Sequence, residues 1–431
     1  MLASATVASA QEAPRRIVGF EVRGHSKLRE GTARILSHRE IGDAVTTKDI
    51  PQLEQALLSS ELFKTVKVTL EDAPDGVGVI VVATLEDKHS WIVAPTLFVL
   101  PGNQAFGVGF AENNFQGRNK KVLLYGQIGT RESLFFGTFL DPSLDGTQLT
   151  YRIDLFAYRR GLTEYANPTG DAEDASVARI TTTDYIGGGF LVGWRFAWWL
   201  TADLRFRGGY VDYKRTYLDD DAETPQPIPQ GDGWDVTFQP RLTLDARGHR
   251  YGVTWGPYLQ IIGDTSIPGM DDYDYSSVLM RAYYSWRLFS EHQLELRTGL
   301  AAGTHMPFHE DFTLGGASDL RGYSVERFRG DRRAYGRVEY SVPLVKWKIF
   351  AFRAIGFWDT GVIGFHALRT GGDRSYLATQ ADGIDRWRND VGGGLRIYVK
   401  NIVLPLLGLD LGYGIEGHSP NIYFEVGLTD F

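Results

Sequence analysis

Three charged residues in the C-terminal half of the chain could form a buried ion pair. A glycine-rich segment ends in four residues that we treat as one motif, Leu320, Arg321, Gly322 and Tyr323. Glu339 and Asp359 follow on the polar phases of two alternating segments. An arginine that is folded inward is costly unless a carboxylate meets it, and its planar guanidinium suits bidentate pairing. We predict that Arg321 pairs with Glu339 or Asp359; the alternative is that it points to solvent in a mobile loop.

Other residues give little support for catalysis, metal binding or a cofactor. The chain has no cysteine, and it contains no Gly-x-Ser-x-Gly, His-Glu-x-x-His or phosphate-binding glycine motif. His305, His309, Glu310 and Asp311 could form a metal cluster, but a polar surface loop explains them and is the preferred interpretation. The acidic run 219–221 is similarly interpreted as a solvated loop. We therefore expect no enzyme activity, no metal and no cofactor.

Alternating hydrophobicity dominates the chain from residue 89 to its end. In the segment 234–245 apolar side chains such as Trp234 and Val236 occupy the even positions, and polar side chains such as Asp235 and Thr237 occupy the odd ones. The segments 148–158, 201–207, 278–288 and 293–300 repeat this pattern. Each segment is predicted to be a strand with one apolar and one polar face.

Strand length and loop length decide between a soluble sandwich and a membrane barrel. The alternating segments run for about 10–15 residues, and a tilted membrane strand needs about 9–11. Tight turns alternate with long connections such as 305–330. This alternation of short turns and long connections is typical of an outer-membrane barrel whose short turns face the periplasm. We predict a mainly β protein with a transmembrane antiparallel barrel of sixteen strands at 88–431; a soluble all-β fold is the alternative.

Composition agrees with a strand-rich membrane protein. Of the 431 residues 50 are glycine, aromatic residues make up 13%, and the longest nearly apolar stretch, 91–100, is too short for a membrane helix. A net charge of −8 makes a nucleic-acid partner unfavourable. The absence of thiols suits a chain that crosses an oxidising periplasm unfolded.

Residues 15–87 are predicted to be a separate small α+β domain. A strand at 17–24 and a helix at 29–38 are followed by a second helix that Thr46 caps, with Asp49 at the capping-box position. Two strands follow, so the order is β-α-α-β-β. Residues 1–14 are interpreted as a signal-peptide remnant and linker, since Ala8-Ser9-Ala10 is typical of a signal-peptidase site; a disordered terminus is the alternative.

Several motifs together resemble one protein family. The small domain, with Phe20-Glu-Val-Arg-Gly24 and Ser60-Glu-Leu-Phe63, resembles a POTRA domain; a generic α+β domain is the alternative. The motif 320–323 resembles the conserved sixth loop of the POTRA-plus-barrel outer-membrane assembly superfamily, the bacterial surface antigen family that includes BamA and TamA. The segment 112–117 matches an early turn of the family, and the segments 338–344, 357–361 and 391–396 resemble its twelfth, thirteenth and fourteenth strands. The resemblance implies the same pairing of Arg321 with Glu339 and Asp359.

The C-terminal strand resembles an outer-membrane sorting signal because it ends in an aromatic residue. Its predicted lipid face and terminus are Ile422, Phe424, Val426, Leu428 and Phe431, although Phe431 is out of phase by one. Gly427 matches the family glycine that lets the last strand bend away from the first, which would weaken the seam of the barrel. A simple packing role is equally compatible with this glycine.

The resemblance implies a non-enzymatic insertase or translocase in the bacterial outer membrane, with its POTRA domain in the periplasm. Expected partners are membrane lipid, unfolded β-rich client proteins that bind the POTRA domain, and periplasmic accessory proteins or chaperones. One departure is the single POTRA domain, because the best-known bacterial insertases carry several. A passive or plugged export channel for one dedicated partner and a structural surface antigen are the alternatives.

Overall fold

The computed structural model describes most of the chain. The described residues are 13–74, 76–100, 103–165, 177–218, 223–250, 253–289, 291–348, 350–366, 383–384, 387–399 and 405–426. The predicted signal remnant therefore lies almost wholly outside them, as do Gly427, Leu428, Phe431 and the acidic run 219–221. Neither α-helix within these ranges is long and apolar enough to cross a bilayer.

The N-terminal part of the chain folds as a four-stranded sheet covered by two helices. In chain order the elements are β1 (Arg15–His25), α1 (Glu30–Leu36), β2 (Ala44–Val45), α2 (Ile50–Ser59), β3 (Phe63–Asp72) and β4 (Val79–Asp87). The sheet order is β2-β1-β4-β3, and β1 runs parallel to β4. The β-α-α-β-β order agrees with the sequence pattern, apart from the two-residue β2, which is too short to give a periodic signal.

The helices of this small domain begin and pack for local reasons. Thr46 and Asp49 form the predicted capping box, which precedes a short 3-10 turn and then α2. The apolar face of α2 buries Leu53 and Leu57, each 1% exposed, against Val68 and other apolar side chains of the sheet. Helix α1 is shorter than the predicted span 29–38, because a left-handed residue, His38 (φ 58°), follows its last turn.

The described residues from 91 to 426 form a closed antiparallel barrel of sixteen main strands, as predicted. They are β5 (Trp91–Leu100), β6 (Asn103–Phe115), β7 (Lys120–Gly129), β8 (Glu132–Asp141), β9 (Leu149–Tyr165), β10 (Val177–Ala197), β11 (Leu200–Leu218), β12 (Gly233–Asp245), β13 (Val253–Ser266), β14 (Ser276–Leu288), β15 (His292–Thr304), β16 (Arg332–Trp347), β17 (Phe350–Phe365), β18 (Arg388–Val399), β19 (Pro405–Gly414) and β20 (Ser419–Val426). Two-residue and three-residue strands at Pro225–Gln226, Gly248–Arg250 and Gly383–Ile384 supplement them.

The strands have an apolar outer face and a polar inner face. On β10 the outward side chains include Ile186 and Phe190, which are 65% and 46% exposed, whereas the inward Tyr185 is buried. The predicted length range of 10–15 residues is too narrow, since β10 has 21 residues and β11 has 19. Strands β9 to β11 are longer than a strand needs to be to cross a bilayer. They therefore continue beyond the bilayer on the side of the long loops.

The first and last barrel strands, β5 and β20, close the barrel at the seam. Within the described residues the seam has three residue pairs: Phe424 with Val99, Glu425 with Phe98, and Val426 with Leu97. By comparison, the pairing of β9 with β10 extends over most of both strands. Phe424 therefore lies opposite Val99, and crosslinks across the seam have to follow this register.

The small domain contacts the short turns on one side of the barrel rim. The Arg34 guanidinium donates to the Gly146 carbonyl (2.6 Å), and the Gln148 amide donates to Glu40 (2.9 Å). The backbone N–H of Arg29 donates to the Gly117 carbonyl (3.1 Å). These contacts involve turns between β6 and β9, so the domain lies off-centre beneath the first half of the barrel.

Docking of the small domain to the barrel should depend on pH, because His38 lies in this interface. The His38 ring stacks on Trp198 of the β10–β11 turn, with centroids 4.5 Å apart. Desolvation, together with the charge of Arg195, lowers the pKa of His38 from 6.5 to about 4. Docking should be at full strength above pH 6.5 and should weaken as the pH falls through the range from 6.5 to about 4.

Spin-label distances between Gln52→Cys and Asp145→Cys would measure this docking. We expect the distance distribution to broaden at pH 5 relative to pH 7.5. A His38→Gln variant, which cannot take up the proton, should show no such change. A pH response that persists in His38→Gln would show that another group controls docking.

Candidate functional site

Residues 305–331, which we call the lumen segment, fold back into the barrel. Strands Phe312–Leu314 and Phe328–Gly330 pair as a small hairpin. Leu314 and Leu320 are completely buried and pack with Tyr335 and Ile363 of the barrel wall. The segment thus has an apolar core of its own, which anchors it against the inner face of β16 and β17.

Arg321 lies at the centre of a buried ion-pair network. Its side chain is 0% exposed, as is that of Asp359. Arg321 Nε and Nη2 donate to the two Asp359 carboxylate oxygens at 2.7 and 2.8 Å, which is the bidentate geometry. Nη1 donates to Glu339 Oε2 at 2.7 Å. The guanidinium also lies 3.4 Å from the centre of the Phe357 ring. The structure therefore brings together all three residues of the predicted lock.

Further charges extend this network across the wall. Arg337 Nε lies 3.4 Å from Asp359 Oδ1, and its Nη1 donates to the Ser318 carbonyl of the lumen segment at 2.6 Å. Asp410 on β19 lies 3.7 Å from Arg321 Nη1 and is held by Arg396 through two hydrogen bonds of 2.6 and 2.7 Å. The Arg321 side chain thus links β16, β17 and β19.

The remaining motif residues contact the last strands of the barrel. The Asn421 amide donates to the Gly322 carbonyl at 2.7 Å, and the Tyr423 hydroxyl donates to the Tyr323 carbonyl. Tyr323 in turn donates to Glu416 Oε2 at 2.7 Å. Since Asn421 and Tyr423 belong to β20, the motif is bonded directly to the strand that closes the barrel.

Glycines allow the motif to pack closely against the barrel wall. A Cβ at Gly322 would overlap Asp390 and come within 2.5 Å of the Gly414 nitrogen, and a Cβ at Gly412 would overlap the Arg321 carbonyl. The positions on both sides of the contact are therefore restricted to glycine by space rather than by backbone conformation.

Other contacts hold the lumen segment to the opposite half of the barrel. Glu326 pairs with Arg131 at 3.0 Å and also contacts Arg160. The Tyr165 hydroxyl donates to the Val325 carbonyl at 3.1 Å. The segment therefore crosses the lumen and is bound to both sides.

The histidine predicted to be a candidate metal ligand has a different environment from the one expected. His309 Nε2 lies 3.3 Å from Asp235 Oδ2, and these two residues form with Glu310 a group whose ligand atoms lie within 4.8 Å of one another. Arg207 donates to both Asp235 (2.9 Å) and Glu310 (2.8 Å). This guanidinium bonds to both carboxylates that a cation would require, so the group anchors the segment to β11 and β12.

Sequence reasoning located the charged residues of the site but missed its partners on the last strands. Asp410, Asn421 and Tyr423 lie on inward phases of β19 and β20, which an alternation pattern can indicate. Their contacts with the motif depend on the path of the lumen segment, for which the sequence contains no signal. Ile422, Phe424 and Val426 face outward as predicted; Ile422 is 59% exposed. Gly427, Leu428 and Phe431 lie outside the described residues.

A protein-family comparison identifies this architecture. Residues 114–429 match the Omp85 superfamily domain. The chain belongs to the Omp85 superfamily. The match begins near the end of β6, so it leaves out β5 and most of β6, and it includes the lumen segment. The family resemblance inferred from the motifs of the barrel is therefore confirmed.

Solved structures of Omp85 proteins share the fold. BamA from Haemophilus ducreyi lacking POTRA domains 1–3 aligns over 96% of this chain and 84% of its own length, with 14% identity and a TM-score of 0.55. CdiB from Acinetobacter baumannii aligns over 96% and 74%, with 13% identity and a TM-score of 0.61. CdiB from Escherichia coli aligns over 99% and 92%, with 12% identity and a TM-score of 0.53. At such identities the likeness concerns the fold alone.

Proposed function

We propose that this Omp85 barrel is a non-enzymatic outer-membrane insertase or translocase for β-rich client proteins. The small domain would act as a single POTRA domain in the periplasm, and the seam would be the site at which clients enter the bilayer. The observation that carries the proposal is the bonding of the motif carbonyls at Gly322 and Tyr323 to Asn421 and Tyr423 of β20. Movement of the lumen segment would release the closing strand of the barrel.

The small domain supplies a surface that suits client recognition. Strand β3 lies at the edge of its sheet and pairs with β4 on one side only within the described residues. An extended segment of a client could add to this edge through main-chain hydrogen bonds, which require no particular client sequence. Accessory proteins or chaperones of the periplasm would deliver such clients in an unfolded state.

Locking the seam with a disulfide tests the proposal. Cysteines at Val99 and Phe424 occupy directly paired positions on the outer faces of β5 and β20. The Cα atoms of directly paired antiparallel residues lie about 4.5–5.5 Å apart, a distance that a disulfide can span. Because the native chain has no cysteine, the crosslink would be unique. We expect the oxidised variant to block assembly of client barrels in vivo and the reduced variant to restore it.

A disulfide between Leu124→Cys and Gly137→Cys is the matched control. These residues are paired across β7 and β8, away from the seam, so they stiffen the barrel without closing it. Client assembly should be unaffected by this crosslink. Normal assembly of every client with the Val99–Phe424 seam locked would exclude passage through the seam.

An export channel for one dedicated partner is the second candidate. The anchoring of the lumen segment on both sides of the barrel favours it, because that arrangement resembles a plug. Depletion followed by outer-membrane proteomics distinguishes the two functions. Loss of many barrels supports an insertase, whereas loss of one exported product supports a channel.

A further inference from the structure

Arginines are concentrated on the inner wall of the barrel between the lumen segment and the short turns. On β9 and on β11 to β15 the described inward side chains of this stretch include six arginines, Arg152, Arg205, Arg241, Arg281, Arg287 and Arg297. The acidic side chains of the same stretch are Asp154, Asp203, Asp245 and Glu295, fewer than the arginines. The wall is therefore basic, although the whole chain has a net charge of −8.

The two kinds of charge differ in exposure. The side chains of Asp154, Asp203 and Glu295 are only 1%, 10% and 9% exposed. Arg281 and Arg287 are exposed although they face inward, and the Arg297 side chain is 37% exposed. The Asp245 side chain is 40% exposed, but Arg247 of the adjoining turn donates two side-chain hydrogen bonds of 2.9 Å to it. The excess charge that water meets in this part of the lumen is therefore mainly positive.

Ion pairing explains why the carboxylates do not cancel this charge. Asp154 receives hydrogen bonds from both Arg152 (2.9 Å) and Arg205. One carboxylate thus serves two arginines, which leaves one positive charge in excess. Walls of low dielectric constant focus the potential of such excess charge into the enclosed water.

We propose that this part of the lumen is a vestibule that concentrates small anions, with Arg281 and Arg297 as its exposed cations. Their strands are neighbours, and Gln260 of β13 lies directly opposite Arg281. The site requires no movement of the lumen segment, because it lies on the side of the short turns. It is also independent of whether the seam opens.

Thiol reagents of opposite charge test the vestibule. A Gln260→Cys variant places a unique thiol beside Arg281. We would measure its rates of reaction with a negatively charged and a positively charged methanethiosulfonate, and compare them with those of Gln52→Cys on the exposed surface of the small domain. The ratio of anionic to cationic rates should be severalfold higher in the lumen and should fall as salt is added.

Charge removal provides the second arm of the test. Arg281→Gln in the Gln260→Cys background should lower the ratio, and adding Arg297→Gln should lower it further. Arg159→Gln is the matched control, since Arg159 is exposed and paired with Asp184 outside this stretch. A ratio that is no higher at residue 260 than at residue 52, a ratio unchanged by both substitutions, or a thiol at 260 that reacts with neither reagent would overturn the proposal.

Discussion

Replacing Arg321 by alanine should release the lumen segment and lower the heat stability of the barrel. The substitution leaves Asp359, which is 0% exposed, without its bidentate partner. Removing one member of a buried ion pair typically costs about 3–5 kcal/mol, because the remaining charge stays desolvated. Arg337 lies 3.4 Å from Asp359 and should offset part of this loss. We expect a lower midpoint of heat-induced unfolding and faster proteolysis within residues 305–331.

Two variants separate the ion pair from general effects of arginine loss. Arg321→Lys keeps a positive charge but cannot form the bidentate contact, so its effect should be intermediate. Arg159→Ala removes an arginine whose side chain is 66% exposed and whose pair with Asp184 should contribute little. If Arg321→Ala matched Arg159→Ala in both heat stability and proteolysis, the lock hypothesis would be wrong.

Gly412→Val should displace the motif without removing any charge. A Cβ at residue 412 would overlap the carbonyl oxygen of Arg321, which is backbone and cannot rotate away. Valine is otherwise favourable in a strand, so β19 itself should tolerate the change. The lumen segment would have to move away from β19 and β20, which breaks the Asn421 contact with Gly322. Overpacking of this kind costs about 1–3 kcal/mol.

Hydrogen exchange of residues 305–331 would measure this displacement, with Gly356→Val as the control. Gly356 lies on the outer face of β17, and nothing lies within 4 Å of a Cβ added there. We expect faster exchange in the lumen segment for Gly412→Val and unchanged exchange for Gly356→Val. Equal protection in the two variants would contradict the close packing of the motif against β19.

These contacts tie the lumen segment to the seam by a short physical path. The Arg321 side chain bonds to β16 and β17, whereas the carbonyls of the next two residues bond to β20. A shift of the motif therefore changes the support of the closing strand directly, without a long chain of intermediates. This coupling is the structural basis of the proposed function.

Much of the barrel could be predicted because its determinants are local. The alternation of side chains along each strand depends only on a period of two, so the sequence predicted the strand number and the inward phases of Glu339 and Asp359. The capping box of Thr46 and Asp49 was predictable for the same reason, since both residues belong to one turn. The family followed from the order of several motifs along the chain.

Contacts between distant segments were decided only by the tertiary structure. The sequence left open whether Arg321 pairs with Glu339 or with Asp359; the fold brings it to both, and it adds Asp410, Asn421 and Tyr423 from strands about 90–100 residues away. The seam register, which places Phe424 opposite Val99, and the docking of the small domain beneath β6 to β9 also depend on barrel closure. Side-chain phase is fixed within each strand, whereas the path of a loop and the closure of a barrel depend on all strands together.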